Sequence, residues 1–476
     1  MMKTKLILSL ALAVLSPGRG GAFPTGPNDS PRRAGGDTSK DEIRLLDERT
    51  NSVVISAQFI DRLLDEARTN NPALRAASAR VNAAEASRES VRIWEDPMFK
   101  FGGSTASPRG FKESEEGNVI YGAEQKLPLW GKPELARRVA GAAVSTRRAE
   151  LDYRSQVLRR DLAKGLLDSA LSARVVEAGA QDLSWLQSTA TAVESKYRSG
   201  QASLVELLSI QNEQAKRTDQ LRTDRLNLMH QSLGLNRLIN RDLRASWPLL
   251  DLPPVAPAIS YNEKLVSVAL RNEPRIKVMQ QEIKQADAMA QMTKRSRLPD
   301  LTFGIEGRQY SGDGGFREGM FTVGLNVPLF NRGKYRSDLR RDQQKLQAAE
   351  DDRDDQVLSV REELHHLTIA MDAAQRRALL YSEEILPRSE QGLTSALSNW
   401  ESNRGMFRDV LEARRMLLDA QLMQARAVAE QHQMIADLLL VTGQNDFIIL
   451  QHSLTEPNQG SGEKGSSLSI SPAGKP

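Results

Sequence analysis

The sequence predicts a mainly α-helical chain that also carries four membrane-length β-strands. One unit of helix, strand, strand, long helix and helix is used twice. Three observations predict this. Landmarks recur in the same order about 200 residues apart, the mark of an internal repeat. Asn70-Asn71-Pro72 is answered by Asn272-Glu273-Pro274, and Asp96-Pro97 by Leu298-Pro299-Asp300. Leu127-Pro128-Leu129-Trp130-Gly131-Lys132 is answered by Val327-Pro328-Leu329-Phe330-Asn331-Arg332-Gly333-Lys334. Four short stretches alternate apolar with polar residues, and two helical patterns of unusual length each end in a Gly- or Asn-bearing tip.

Composition narrows the class. The chain has 476 residues, a net charge of +4 and no cysteine. Apolar content is 39% and aromatic content 5%, too lean for one large globular core but suited to long amphipathic helices. The small basic excess is spread along the chain and leaves no nucleic-acid footprint. Without cysteine there are no disulfides, thiolate metal sites or lipidated N-terminal Cys.

Residues 1–22 read as an export signal. Lys3 and Lys5 precede the apolar run Leu6 to Leu15, which is too short to span a bilayer, and Gly20-Gly21-Ala22 offers small residues for cleavage. Residues 23–55 read as a flexible lead-in rich in Gly, Pro, Asp and Arg. The first repeat is expected over 56–241. It opens with helical pattern from Ser56 to Trp94, punctuated at Pro72, which suits the first turn of a new helix. Strands follow at about 97–103 and 118–128, where Phe99 and Phe101, then Val119, Tyr121 and Ala123, alternate with polar residues or Gly.

A long helix is predicted from Pro133 to Ser199, roughly 100 Å at about 1.5 Å per residue. Gly200 supplies the left-handed stop, Ser203 caps the return helix, and that helix runs from Leu204 to Ile239. A proline-rich linker covers 242–262 and the second repeat 263–443. Its strands lie at about 300–310 and 319–328. Its long helix runs from about 335 to 402 with a kink at Pro387, and Asn403 provides the second left-handed stop. Phe407 to Val441 returns, and 444–476 is a C-terminal segment with a disordered tail.

Each strand has about the length of a tilted membrane strand. Lys100, Glu124, Glu306 and Arg308 share the polar side, which in a membrane barrel faces a wet lumen. Four strands cannot close a barrel, and open edges are not tolerated in lipid, so the wall needs several chains. Three chains would give twelve strands. Trp94, Trp130 and Phe330 lie at strand ends, where interfacial aromatics belong. A soluble four-stranded sheet is the competing reading.

The plan resembles the TolC-like outer-membrane efflux family over nearly the whole mature chain. The residues that carry the resemblance are the two Pro-aromatic turns above, the tip Tyr197-Arg198-Ser199-Gly200, and Asp409-Val410-Leu411-Glu412. It implies a homotrimer with a 12-stranded outer-membrane barrel continued by a long α-helical tunnel. It also implies contact with outer-membrane lipid, docking to a periplasmic adaptor, and an inner-membrane pump. The turn from Gln125 to Lys132 is most similar to the heavy-metal branch. Many members carry a lipidated Cys; this chain has none, so anchoring is expected to rest on the barrel.

Asp409 and Glu412, three apart, share a helix face one turn beyond the second tip. The resemblance puts them at the tunnel entrance, where three copies would form an acidic ring. The competing reading is an ordinary solvated face. Where the family has Tyr and Arg closing the second tip, this chain has Trp400 and Gly405, with Arg404 as the replacement candidate. Ser199, Gly200, Ser203, Leu204, Gly405 and Phe407 are the expected adaptor contacts, although a hairpin cap needs some of them in any case. His365-His366 lacks a third ligand. No nucleophile, phosphate loop or cofactor motif is present, so an enzyme is not expected. The expected function is a passive exit duct of a tripartite efflux system. A peptide or protein secretion duct and a soluble periplasmic scaffold or adaptor are the alternatives.

Overall fold

The structure, a computed structural model, describes residues 52–91, 94–105, 117–310, 314–327 and 331–455. The expected export signal, most of the lead-in, Phe330 and the tail after Thr455 lie outside them. The elements are β1 (Val53–Val54), α1 (Ala57–Asn70), α2 (Pro72–Ser90), β2 (Met98–Thr105), β3 (Gly117–Leu127), α3 (Lys132–Arg198) and α4 (Leu204–Ile239). After them come β4 (Leu250–Asp251), α5 (Glu263–Asn272), α6 (Pro274–Ser296), β5 (Asp300–Tyr310) and β6 (Phe316–Asn326). The chain continues with α7 (Arg332–Leu380), a π-helical turn (Tyr381–Ile385), α8 (Leu386–Glu401), α9 (Phe407–Thr442) and α10 (Phe447–Thr455). The same order of elements therefore occurs twice, with the second long helix divided into α7, the π-helical turn and α8, and with α10 added at the end.

Local chemistry explains the boundaries. Asn71 accepts from the N–H groups of Ala73 and Leu74, and Pro72 begins α2. Glu273 caps α6 in the same way, ahead of Pro274. α3 is 67 residues long, and its buried residues include Leu158, Leu162, Leu166 and Ala170, every fourth position along one narrow stripe. It stops in a Schellman motif: Gln201 N–H donates to the Lys196 carbonyl and Gly200 N–H to that of Tyr197, with Gly200 at φ 74°. Asn403 at φ 55° repeats the motif after α8, where Arg404 N–H donates to the Asn399 carbonyl. Asn240 at φ 57° and Gly443 at φ 61° end α4 and α9. Ser203 and Glu206 form a complete capping box on α4.

β2, β3, β5 and β6 form one antiparallel sheet in that order, with β2 and β6 at its edges. α3 packs against α2, α4, α6 and α9, and α7 against α6 and α9. The apolar interior is divided. One cluster joins α1, α3, α4 and the β1–β4 pair through residues such as Leu63, Leu162, Leu235 and Leu250. A second joins α5, α7, α9 and α10 through Leu265, Leu364, Leu438 and Leu450. A third lies where the two hairpin tips meet.

Three features refine the expected plan. At the end of the expected lead-in, Val53–Val54 pairs in parallel with Leu250–Asp251 of the linker, and Ile55 is buried beside them. The segment after Gly443 begins with a helix, α10, whose Leu450 is fully buried. The second long helix is interrupted. Pro387 lacks an N–H and its ring crowds the preceding turn, and the chain widens into the π-helical turn Tyr381–Ile385 just before it.

Candidate functional site

Two regions carry the functional geometry: the sheet and the hairpin tips. In the sheet, register and alternation separate the side chains into two faces. Directly opposed rows place Phe99, Ala123, Ile305 and Phe321 together, with Phe101 and Tyr121 beside them and Phe303, Val323, Leu301 and Leu325 towards the helices. This face is open to the outside: Phe99 is 81% exposed, Phe101 84% and Phe321 65%. Tyr121 lies over Gly307, where a β-carbon would come within 2.8 Å of the ring. The other face is polar. Lys100 pairs with Glu124, and Arg308 reaches Glu318 at 2.9 Å and Glu306 at 3.4 Å. Neither outer edge, of β2 or of β6, pairs with another described strand.

Where strand turns into helix, Trp130 and Gly131 both take positive φ, at 66° and 70°. Trp130 is half exposed and its indole N–H donates to the Pro299 carbonyl at 2.8 Å. Trp94 is also exposed but lines a groove with Glu95, Asp96, Lys126 and Asp300. Lys126 and Asp300 belong to the polar side of the sheet, so this groove, and Trp94 with it, lies beside that face.

At the tips, α8 and α9 close on α3 and α4 around a shared apolar centre. Val193, Ile210 and Val410 are fully buried there. Trp400 and Phe407 pack at 5.1 Å between ring centroids. The Lys196 ammonium sits 4.0 Å from the Trp400 ring centroid, buried and without a hydrogen-bond partner among the described residues, so the ring face stabilises its charge. Two of the expected site residues lie inside this joint. Phe407 is 1% exposed and Trp400 7% exposed, and both side chains pack into the cluster between the hairpins.

Asp182, 3% exposed, accepts from Arg414 of α9 at 2.7 Å and pairs with Arg217 of α4 at 2.8 Å. Arg415 binds both oxygens of Glu213, at 3.1 and 2.6 Å. The hydrogen bond from Arg415 holds the Glu213 carboxyl below its ordinary range, against a smaller desolvation effect.

The remaining tip residues are accessible. Ser199, Gly200, Ser203 and Arg404 are exposed, Gly405 is half-buried, and Leu204 is 52% exposed. Met406, within the second expected tip, is exposed, and the sequence reading passed over Val205 and Leu208, apolar side chains that also face outwards at the first. Nothing in local sequence separates them from the core positions Leu207 and Ile210. Asp409 and Glu412 lie exposed on α9. Glu412 stands 3.8 Å from Arg415, whereas Asp409 makes no ion pair among the described residues. Arg404 likewise reaches no acid within the described chain. His365 stacks edge-on against Tyr261, and no group of three or more His, Asp or Glu is clustered for a metal among the described residues. Nor is any described helix long and apolar enough to cross a membrane.

Comparison with known proteins fits this geometry. The family described as outer membrane efflux protein matches residues 63–241 and again residues 265–444. The cobalt-zinc-cadmium resistance protein CzcC of Cupriavidus metallidurans is 24% identical over 177 residues. That alignment spans 36% of this chain and 40% of the relative. The solved outer-membrane channel OprN superposes with a TM-score of 0.70 at 18% identity, covering 81% of this chain and 89% of that one. The outer membrane protein VceC of Vibrio cholerae gives 0.69 at 18%, covering 81% and 96%.

Proposed function

Because the chain belongs to the outer membrane efflux protein family, we propose that three copies join their sheets into one closed 12-stranded wall and act as a passive exit duct. The protein is an outer-membrane channel-family member and not an enzyme. The single observation that carries the proposal is the sheet. It has one continuous apolar face exposed, a polar opposite face, and two unpaired edges. Lipid has no partner for an open edge, so β6 of one copy is paired with β2 of the next. The apolar face then meets hydrocarbon, and Lys100, Glu124, Glu306 and Arg308 line water. The double family match supports reading the two halves as one duplicated unit.

The long hairpins continue the wall into the periplasm. There the exposed tips, Ser199 to Leu208 and Arg404 to Met406, dock an adaptor that links the duct to an energised inner-membrane pump. Asp409 and Glu412 favour cations at the entrance once three copies bring their carboxylates together. Divalent metal cations are the cargo this reading favours, given the acidic entrance and the name of the relative CzcC. The test is a deletion strain challenged with zinc, cobalt and cadmium, complemented by wild type or by Asp409→Asn with Glu412→Gln. Wild type restores resistance. Equal sensitivity of deletion and parent strains to all three metals removes metals as cargo.

A further inference from the structure

The junction between sheet and helices carries two grooves of opposite electrical character. The groove on the polar side of the sheet balances its own charge: Lys132 pairs with Asp300 at 2.6 Å and Lys126 with Glu95 at 2.8 Å. The other lies between the end of α6 and the start of α7, a cavity of about 400 Å³. Its lining holds Lys294, Arg297, Arg332 and Arg336, together with Tyr335, and no carboxylate. None of the four cations makes an ion pair among the described residues, and all four are exposed. Asp342, which touches Thr293 of the lining, is buried and already held by Arg341.

Two lining residues place this groove beside the ends of the apolar rows. Pro299 and Val327, both in its lining, lie two residues beyond Leu301 and Leu325 on the apolar face. The cations therefore stand just past the helix-side end of the exposed apolar rows, below Val323 and Leu325, which are 57% and 56% exposed. Four like charges around one groove repel one another, and an anion at this level relieves that repulsion.

We propose that this groove binds the phosphate of a membrane phospholipid, whose acyl chains run along Val323 and Leu325. The inference rests on the reading of the sheet as a membrane wall. Cations beside an apolar surface, with an interfacial tyrosine, are the chemistry that holds an anionic headgroup. The site sets the depth of the wall in the bilayer.

The test uses the full-length protein purified in non-ionic detergent, with dioleoylphosphatidylglycerol as the probe and lipid retention read by native mass spectrometry. Arg297→Gln with Arg332→Gln lowers retention about 25-fold, taking about fivefold per cation. Lys294→Gln with Arg336→Gln is the second variant, used if the first does not assemble. Arg222→Gln with Arg361→Gln, which removes two exposed charges on other helices, leaves retention unchanged. Equal retention by all variants overturns the site, as does full displacement of the lipid by excess inorganic phosphate, which marks a free-anion site. Carbonate extraction of the wild type separates the two readings. Protein that stays in the membrane yet shows no charge dependence sinks this inference alone. Protein that washes off sinks the membrane wall and this site with it.

Discussion

At the level of single residues, the joint between the hairpins concentrates the most consequential side chains. Asp182 serves two guanidiniums from two helices in a largely buried setting. Asp182→Asn leaves Arg217 and Arg414 without their shared carboxylate and is expected to cost about 3 kcal/mol, read as a lowered thermal unfolding midpoint. Gly443 is constrained differently. At φ 61° it also approaches Asn272, whose carbonyl oxygen would lie 2.3 Å from an added β-carbon. Gly443→Ala should therefore destabilise by more than the roughly 1 kcal/mol of left-handed backbone alone, checked by the same melt. Glu213 gives a pH dependence. Its folded carboxyl is held low by Arg415, so its stabilisation is complete above the ordinary carboxylate range and is lost as pH falls through the depressed folded value. The stability gap between wild type and Glu213→Gln should be small, because Arg415 is half exposed, and should shrink further below about pH 4.

At the level of elements, punctuation residues made much of the fold legible from sequence. Gly200, Ser203, Pro72 and Pro133 are local signals, and the helices they bound begin and end within a residue or two of the expected places. The strands follow from alternation over about ten residues. The β1–β4 pair is two residues on each side, too short for any periodicity, and it forms because Val53 and Leu250 share the cluster around α1. Pro387 signalled a bend but not its form as a widened turn. The burial of Trp400 and Phe407, and the exposure of Val205 and Met406, are set by two hairpins meeting across some 200 residues of sequence. Local spacing carries no record of that meeting. The sheet yields a prediction at this scale: Phe99→Arg places a charge on the apolar face, costs about 2–4 kcal/mol in a bilayer, and should lower recovery in the outer-membrane fraction. Val205→Glu with Met406→Glu should abolish capture of the adaptor in a pull-down while the assembled protein still fractionates with the outer membrane.

At the level of the whole molecule, one chain is an incomplete object. Its sheet exposes an apolar face and leaves both edges unpaired among the described residues, and in the proposed duct the two acids of one chain, Asp409 and Glu412, are too few to make a ring. In the proposed duct each deficiency is met by the same operation, the addition of identical copies around one axis. In planar bilayers the assembled duct should prefer cations, and Asp409→Asn with Glu412→Gln should reduce that preference, read from the reversal potential in a salt gradient. The most direct measurement is the mass of the purified protein in detergent by light scattering with the detergent contribution subtracted. Three chains per particle is the predicted result. A particle containing a single chain would contradict the shared wall and the duct built on it.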